Sequence, residues 1–321
     1  MRVLITGGAG FIGSHLADRL LTDGHEVAVL DDLSSGQYEN IAQLLEHPSF
    51  NFSLGSILDP DRVDSAMSSA DAVFHLAAAV GVNLIVDQPL RSLATNIRGS
   101  EIVLEKASKY GVKLLVTSSS EIYGKNRSDR LHEEDDRILG SPLKSRWSYS
   151  EAKAIDEILA YTYWKEKALP TVIVRLFNTV GPRQTGTYGM VIPRFVAQAI
   201  RNEPITVFGD GSQTRCFCYV GDIVAALPLL LGHPDAYGRV FNLGSDEEIS
   251  IANLAELVRE ETGSTSKIRF VPYAEAYEEG FEDMPRRVPD TTRARELVGF
   301  MPTLGLREIV HLVIEEQRSA L

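Results

Sequence analysis

The sequence predicts an α/β fold in which a doubly wound parallel sheet is followed by a smaller α/β cap. The first observation is an alternation of short apolar, β-branched runs with segments of helical periodicity, from the amino terminus to Asn178. The second is a glycine-rich turn between the first such run and the first helical segment. The third is a change after Asn178, where the alternation stops and Gly and Pro become denser.

The predicted elements follow one another without a linker, a repeat or a low-complexity tract. Strands are predicted at residues 1–6, 26–30, 71–79, 112–120 and 171–177, and helices at residues 11–21, 89–110 and 149–168. We assign residues 1–178 to a cofactor-binding sheet domain and residues 179–321 mainly to a substrate-binding cap. A strand-like run within residues 216–245 is expected to return to the first domain, so the predicted boundary is interleaved.

Three glycines mark the turn between the first strand and the first helix. At Gly7, Gly10 and Gly13, unpaired helix N–H groups and the helix dipole create an anion site that a phosphate can approach closely. Asp31 ends the next strand, roughly 20 residues further on, where a carboxylate can accept both hydroxyls of an adenosine ribose. This is the pattern of a Rossmann-type sheet. Because a carboxylate repels a 2′-phosphate, the predicted cofactor is NAD rather than NADP.

Composition and charge exclude several kinds of partner. The 321 residues carry a formal net charge of −12, which argues against nucleic-acid binding because that function requires a basic patch. The longest apolar runs fall well short of a membrane span of about 18 residues. The two cysteines, Cys216 and Cys218, alternate within one predicted strand, so they form neither a disulfide framework nor a metal cage. Free thiols indicate a reducing cytoplasm, and no metal is expected.

A tyrosine and a lysine at helical spacing supply the candidate chemistry. Tyr149 and Lys153 are four residues apart and share one face of the predicted helix. A phenol is a poor base at neutral pH, but a lysine ammonium and a positively charged nicotinamide nearby favour its phenolate. An isolated pair at this spacing is more often two surface side chains, but this one follows a hydroxyl cluster, TSSSEIYG, at a strand end. Tyr149 is therefore the candidate base for a hydroxyl proton.

The order of glycine turn, ribose carboxylate, hydroxyl cluster and Tyr-x-x-x-Lys helix resembles the short-chain dehydrogenase/reductases. The sequence is most similar to their extended branch, the NAD-dependent nucleotide-sugar epimerases, dehydratases and decarboxylases. The matching stretches are TGGAGFIGSH, DDLSSG, HLAA, TNIRG, SSSEIYG, YSEAK, RLFNTVGPRQ, VFGDGSQTR and RRVPD, which together cover essentially the whole chain. The resemblance implies a nucleotide-sugar substrate, UDP-linked in the nearest branches.

The resemblance also implies roles for individual residues. Ser119 would hydrogen-bond the sugar hydroxyl beside Tyr149, and Lys153 would hold the nicotinamide ribose. Ser56 and Ile57 stand where the family usually has an acidic residue that meets adenine. The implied cofactor-binding residues are Gly7, Gly10, Phe11, Ile12, Gly13, Asp31, Asp32, Ser34, Ser35, Gly36, Ser56, Ile57, Leu76, Ala77, Ala78, Ala79, Asn96, Thr117, Tyr149, Lys153 and Phe177. The implied substrate-binding residues are Asn178, Val191, Thr206, Phe208, Arg215 and Arg287.

Glu121 bears on which reaction follows. All these enzymes are expected to begin alike: Tyr149 takes the proton of the hydroxyl on sugar carbon 4 while hydride passes to NAD. Glu121 stands where dehydratases and uronate decarboxylases often carry a carboxylate, and a structural carboxylate is an equal alternative. Ser120 replaces an aspartate usual in dTDP-glucose dehydratases, and Met190 replaces an arginine common in decarboxylases. We therefore rank 4-epimerisation of a UDP-hexose or UDP-hexuronate first, with UDP-glucuronate decarboxylation or 4,6-dehydration as alternatives.

Two further expectations concern catalysis and assembly. The candidate catalytic set is Ser119, Glu121, Tyr149 and Lys153, and its presence argues against the alternative of a non-catalytic NAD-binding regulator or scaffold. The helices predicted at residues 89–110 and 149–168 match those that pair into a four-helix interface in the family, so a homodimer is expected. Burial within the monomer is the competing explanation for their apolar residues.

Overall fold

Seven parallel strands form the main sheet of the protein, in a computed structural model that describes residues 1–80, 89–144, 147–186, 189–276, 284 and 286–319. The strands in chain order are β1 (Arg2–Thr6), β2 (Glu26–Asp31), β3 (Phe50–Leu54), β4 (Ala72–His75), β5 (Lys113–Ser119), β6 (Thr171–Leu176), β7 (Thr179–Val180), β8 (Ile205–Phe208), β9 (Thr214–Cys216), β10 (Cys218–Tyr219), β11 (Arg239–Leu243), β12 (Glu248–Ser250) and β13 (Ile268–Val271). The main sheet has the order β11-β6-β5-β4-β1-β2-β3. The chain direction across the sheet reverses beside β1, as a doubly wound fold requires.

The helices connect these strands and close the cap. They are α1 (Phe11–Thr22), α2 (Pro60–Met67), α3 (Pro89–Leu93), α4 (Gly99–Tyr110), α5 (Ser148–Lys167), α6 (Val191–Ile200), α7 (Val220–Gly232), α8 (Ile251–Thr262), α9 (Tyr273–Ala276), α10 (Thr292–Val298) and α11 (Leu306–Ser319). Short 3₁₀ turns lie at Tyr38–Asn40, Ala42–Leu44, Ser120–Tyr123 and Pro234–Ala236. Within the described residues, none of the helices is both long and apolar enough to cross a membrane.

Helices cover both faces of the main sheet, which explains why its strands are continuous apolar runs. On one face, α1 and α7 contribute Leu16 and Leu227 to a core shared with the strands. On the other face, α2, α4 and α5 contribute Val63, Val103 and Ala160. The sheet is thus buried on both sides, and only its strand ends are open to a ligand.

The cap has a core of its own. Phe195 on α6, Leu254 on α8 and Val310 on α11 pack together with β8, which pairs in parallel with β13. Between the cap elements, β11 returns to the main sheet and pairs in parallel with β6 along Arg239–Leu243. The division of the chain into domains near residue 178 stays a prediction.

Three elements differ from their predicted form. β4 ends at His75 rather than residue 79, because its neighbour β1 ends at Thr6, where the glycine turn begins. The helix predicted at residues 89–110 contains a π-helical segment, Ala94–Arg98, between α3 and α4. The single strand predicted through Cys216 and Cys218 is two strands, because β9 pairs with β12 while β10 pairs with β7. Both cysteines are buried and free.

Candidate active site

A cleft of about 490 Å³ opens along the carboxyl ends of the main-sheet strands. In doubly wound sheets ligands bind at this edge, because the chain leaves neighbouring strands in opposite directions there. Cap segments, including the start of α6 and the end of β8, complete its walls. The predicted residues that line it are Gly7, Gly10, Phe11, Ile12, Gly13, Asp31, Asp32, Ser34, Ser35, Gly36, Ile57, Leu76, Ala77, Ala78, Thr117, Ser119, Glu121, Tyr149, Lys153, Phe177, Asn178, Val191, Phe208, Arg215 and Arg287.

The glycine turn has the shape that a dinucleotide pyrophosphate requires. Gly7 adopts a φ of +74°, and a Cβ on this residue would lie 2.6 Å from the backbone nitrogen of Ala77. A Cβ on Gly13 would overlap the carbonyl oxygen of Gly7. Gly10 precedes α1 and leaves the helix N-terminus without a side-chain cap, so its N–H groups are left for an anion. The turn therefore fits the phosphates of NAD.

Asp31 is positioned by backbone hydrogen bonds at the end of β2. Its Oδ2 accepts from the N–H of Ala9 at 2.9 Å, and its Oδ1 accepts from the N–H of Leu33 at 2.8 Å. Burial raises the pKa of Asp31, although the two N–H donors oppose this shift. A carboxylate has about four acceptor sites, so two remain for ribose hydroxyls. The carboxylate thus fits the adenosine ribose of NAD.

Tyr149, Ser119 and Lys153 meet in the same cleft. Tyr149 and Lys153 lie on α5, 7% and 2% exposed, and both line the cleft. The hydroxyl of Ser119, at the end of β5, lies close enough to the phenol of Tyr149 to lower its pKa. The Nζ of Lys153 donates to the carbonyl of Thr117 at 3.0 Å and to Oδ2 of Asp156 at 3.1 Å. An ammonium has three donors, so one remains for a ribose hydroxyl.

The electrostatics of Tyr149 differ from the expectation in one respect. Burial raises the pKa of the phenol and the Glu121 carboxylate adds to the rise, while the Lys153 ammonium lowers it. Burial alone would lower the pKa of Lys153, but the Asp156 carboxylate raises it above its ordinary value, so the lysine is charged. The lowering of the Tyr149 pKa by Lys153 is therefore smaller than the rise that burial causes. A positively charged nicotinamide would lower the pKa of Tyr149 further.

An ion pair joins the turn after β5 to a segment far along the chain. Oε1 of Glu121 accepts from Nη1 of Arg287 at 2.9 Å, and the same nitrogen lies 3.4 Å from Oγ of Ser120. The two charged side chains are largely buried, with 14% and 11% of their surfaces exposed. Both line the cleft. Glu121 is therefore part of the site and is held there by a guanidinium.

Four residues of the predicted set, Ser56, Ala79, Asn96 and Thr206, do not line the cleft. The hydroxyl of Ser56 accepts a local backbone N–H. The amide of Asn96 accepts from the N–H of Ala79 at 2.7 Å and donates to its carbonyl at 3.2 Å, which fixes the segment after β4. Thr206 is bonded to side chains of α6 inside the cap. Their direct ligand contacts stay predictions.

The structure also places residues in the cleft that the sequence did not single out. Arg194 on α6 lines it and holds its guanidinium carbon 4.2 Å from the ring centre of Phe208. Gln213 lines it from the loop before β9, and Tyr273 lines it from the first residue of α9, shortly after β13. Arg194 lies on an amphipathic helix, where a charged residue is expected on the solvent-facing side. The sequence pattern of this helix therefore does not indicate that Arg194 lines a site. Tyr273 follows a strand end, a position that would have indicated it had β13 been recognised.

Comparison with known proteins agrees with this geometry. The NAD dependent epimerase/dehydratase family matches residues 3–244. The UDP-N-acetyl-alpha-D-glucosaminuronate decarboxylase of Bacillus cytotoxicus is 40% identical over 315 residues, which cover 96% of each chain. The UDP-glucuronic acid decarboxylase 1 of Xenopus tropicalis is 35% identical over 322 residues, which cover 100% of this chain and 73% of its own.

Solved structures with the same fold lead to the same family. The UDP-glucose 4-epimerase of Thermotoga maritima with UDP-glucose has a TM-score of 0.90 and 33% identity, covering 100% of this chain and 99% of its own. The UDP-glucuronic acid 4-epimerase of Bacillus cereus, in complex with UDP-glucuronic acid and NAD, has a TM-score of 0.90 and 28% identity over 100% of both chains. The chain therefore has a Rossmann-type fold, uses NAD and belongs to the NAD-dependent epimerase/dehydratase family of enzymes.

Proposed function

We propose that this enzyme is a UDP-hexuronate decarboxylase, which oxidises carbon 4 of its sugar and then releases carbon 6 as carbon dioxide. The observation that carries the proposal is the buried pair of Glu121 and Arg287 in the cleft that also holds Tyr149. Relatives named for decarboxylation are similar to nearly the whole chain. The sequence alone ranked 4-epimerisation first, because Met190 stands where decarboxylases tend to carry an arginine. The pairing of Glu121 with Arg287 cannot be seen from spacing.

The first step uses the residues at the end of β5 and the start of α5. Tyr149 takes the proton of the hydroxyl on carbon 4, and Ser119, close to the phenol in the same cleft, orients that hydroxyl. Lys153 holds its positive charge beside the phenol and stabilises the phenolate. Bound NAD supplies the acceptor, and later the donor, of the hydride at carbon 4.

The second step uses the ion pair. Once carbon 4 is a ketone, the carboxylate on carbon 5 is β to it, so the bond between carbons 5 and 6 can break with loss of carbon dioxide. The electron pair passes to an enolate across carbons 4 and 5, whose oxygen the hydroxyls of Ser119 and Tyr149 stabilise. Arg287 donates hydrogen bonds to the departing carboxylate. Glu121, which is ionised in its resting pair with Arg287, takes a proton from solvent water when the substrate carboxylate replaces it on the guanidinium, and passes that proton to carbon 5. Return of the hydride, and of the Tyr149 proton, then gives a UDP-pentose.

A 4-epimerase is the second candidate. Met190, which lines the cleft, stands where decarboxylases tend to carry an arginine. A UDP-glucuronic acid 4-epimerase is among the structures with a TM-score of 0.90. A 4,6-dehydratase is less favoured, because Ser120 occupies the position of its usual aspartate and contacts Arg287 instead.

Product analysis tests the proposal. The enzyme is incubated with UDP-glucuronate, UDP-N-acetylglucosaminuronate, UDP-glucose and UDP-N-acetylglucosamine, and products are followed by mass spectrometry and proton NMR. A decarboxylase converts only uronates and yields a lighter sugar with release of carbon dioxide. An isobaric product identifies an epimerase, and loss of water identifies a dehydratase; either result contradicts the proposal.

Glu121→Gln provides a second, independent test. In a decarboxylase the change should stall the reaction after oxidation and accumulate bound NADH, seen as absorbance from the reduced nicotinamide. In an epimerase it should mainly weaken sugar binding, because inversion at carbon 4 needs no second acid. Tyr149→Phe is the control, since it should form no NADH in either case.

Assembly and location extend the same proposal. We propose a homodimer, on the family resemblance of α3, α4 and α5, and a cytoplasmic location, which the two free thiols of Cys216 and Cys218 support. A UDP-linked substrate is supported by the structures with bound UDP-glucose and UDP-glucuronic acid.

A further inference from the structure

A buried carboxylate lies directly behind the lysine of the active site. Asp156 follows Lys153 on α5 by three residues, and the two side chains are 0% and 3% exposed. The Nζ of Lys153 donates to Oδ2 of Asp156 at 3.1 Å, while a second donor bonds the carbonyl of Thr117. Two of the three ammonium hydrogens are thereby bonded to protein oxygens, and the third is left for a ligand in the cleft that Lys153 lines.

Behind Asp156, a chain of neutral side chains, Ser100, His75 and Thr6, leads into the protein interior. The hydroxyl of Ser100 lies near the Asp156 carboxylate and lowers its pKa. The same hydroxyl donates to the carbonyl of Asn96 at 2.6 Å and lies 3.0 Å from Nε2 of His75. The Nδ1 of His75 lies 2.7 Å from the hydroxyl of Thr6. Burial, together with the charge of Lys153, lowers the pKa of His75 to about 3, so the ring is neutral. This chain therefore brings no positive charge to Asp156.

Asp156 is difficult to explain as a stabilising residue. Its Oδ1 is buried and accepts no hydrogen bond within 3.5 Å among the described residues. Burial raises the pKa of Asp156, while the Lys153 ammonium and the nearby Ser100 hydroxyl lower it. Removing a carboxylate from water is costly, and a buried ion pair with one unsatisfied oxygen recovers that cost only in part. Its effect on the neighbouring phenol is specific, because a negative charge there opposes formation of the Tyr149 phenolate.

We propose that Asp156 is a positioning residue. Its hydrogen bond directs the Lys153 ammonium towards the cofactor ribose, and its negative charge raises the pH at which the pair of Tyr149 and Lys153, called the couple below, loses its first proton. With Asp156 ionised, the phenol, ammonium and carboxylate sum to zero charge, and loss of a proton leaves a buried net negative charge. Without the carboxylate the couple begins at +1 and becomes neutral. The first proton then leaves at lower pH, whichever of the two groups releases it.

Other charged groups face the couple and must be kept constant in a test. Glu121 approaches Tyr149 from the turn after β5, and its charge raises the pKa of the phenol as well. Glu157, next to Asp156 on α5, is paired with Arg175 through two hydrogen bonds at 2.9 and 2.8 Å. His75 faces Lys153 from β4 and is neutral. Asp156 is thus the carboxylate in contact with Lys153 that a single substitution can neutralise.

The test is a titration of Tyr149 itself. NAD-bound protein labelled with ¹³Cζ-tyrosine is followed by NMR against pH, and Tyr149→Phe assigns the signal. Asp156→Asn should move the midpoint to lower pH by about half a unit or more, and Asp156→Glu, which keeps the charge, should stay closer to wild type. The pH at which kcat/KM falls on the acid side should also be lower in Asp156→Asn than in the wild type.

The titration needs no sugar, so it remains valid if the proposed decarboxylation fails. A Tyr149 midpoint unchanged in Asp156→Asn would overturn the inference, because it would show that Asp156 is protonated or electrostatically silent. If Asp156→Asn does not fold, the test uses Asp156→Ser, which leaves space for a water beside Lys153. The Tyr149 midpoint should again move to lower pH. A lower melting temperature without a shifted midpoint would show a purely structural role and would also overturn it.

Discussion

Tyr149 lies in a buried position where its hydroxyl can act on a substrate but adds little to the packing of α5. We predict that Tyr149→Phe lowers kcat by roughly 10²–10⁴-fold, since it deletes the group that takes the proton. The hydroxyl lies in the cleft near Ser119, so its removal should lower folding stability by no more than about 1 kcal/mol. Activity and thermal unfolding are measured on the same preparation. Near-normal turnover in the variant would show that the proton leaves by another route.

Asp31 sets the choice between the two nicotinamide cofactors. Its carboxylate is fixed by the N–H groups of Ala9 and Leu33, so it cannot swing away from a 2′-phosphate without breaking both bonds. We predict that NAD binds to the apo-protein at least about 10²-fold more tightly than NADP, because a desolvated like-charge contact costs several kcal/mol. Isothermal titration with each cofactor checks this. Equal affinities would contradict the assigned role of Asp31.

Sequence spacing predicts which side chains will contact each other only when both lie on the same helix or at positions fixed by the order of the strands. Tyr149 and Lys153 could be paired in advance because one helical turn separates them, and Asp31 could be assigned because strand order fixes its distance from the glycine turn. Asp156 is three residues from Lys153 and was detectable by the same rule. The pairing of Glu121 with Arg287, 166 residues apart, depends on how the cap segment meets the sheet, which no local pattern contains.

At the scale of elements, hydrophobic periodicity located the main-sheet strands except β3, and the helices α1, α4 and α5, because each of these buries one stripe or both faces. It missed β3 and α2. It missed the π-helical segment Ala94–Arg98, since one inserted residue barely alters a helical pattern. It also missed the short cap strands β7 and β8 and predicted β9 and β10 as one strand, because strands of two to four residues are too short to show a period. Their pairing is decided by tertiary contact rather than by sequence.

The 3₁₀ turn that carries Glu121 is tied to the sheet by a buried network. The hydroxyl of Tyr123 donates to Oδ1 of Asn242 at 2.7 Å and accepts from Nη1 of Arg175 at 2.9 Å. Burial raises the pKa of Tyr123 to about 12, so the hydroxyl stays protonated. We predict that Tyr123→Phe destabilises folding by roughly 1–3 kcal/mol, because both partners lose a bond in a buried setting.

Urea unfolding measures this difference against a matched variant. Tyr38→Phe removes the same hydroxyl from a residue that is 46% exposed in the 3₁₀ turn Tyr38–Asn40, and it should change the free energy of unfolding by no more than about 0.5 kcal/mol. Equal effects of the two variants would show that the network contributes nothing specific to stability.

At the scale of the whole molecule, the cap and the sheet are connected by more than one crossing of the chain. β11 enters the main sheet after α6, β8 and β9 have been built in the cap, and Arg239–Leu243 then pairs with β6 at the edge. Asn242 in this strand bonds Tyr123 beside the turn that carries Glu121. The position of Glu121 therefore depends on residues from both halves, and we expect neither half to form the site alone.

One face of α5 carries a stripe of apolar side chains that the monomer leaves exposed. Ile158, Tyr161 and Trp164 are 62%, 45% and 36% exposed and follow one another at three-residue intervals. Leu90 on α3 is 84% exposed. Burial inside the monomer, the competing explanation for these residues, is therefore wrong for this stripe, and a second copy of the chain is the partner that we predict for it.

Light scattering across a range of protein concentrations should give the mass of a dimer. Ile158→Lys should shift it towards the monomer, because a charge in the centre of an apolar interface is desolvated without a partner. Leu229→Lys is the matched control: Leu229 is 54% exposed on α7, outside the stripe, so the dimer should persist. A monomer mass at all concentrations for the unmodified protein, or equal dissociation by both substitutions, would contradict an interface on α5.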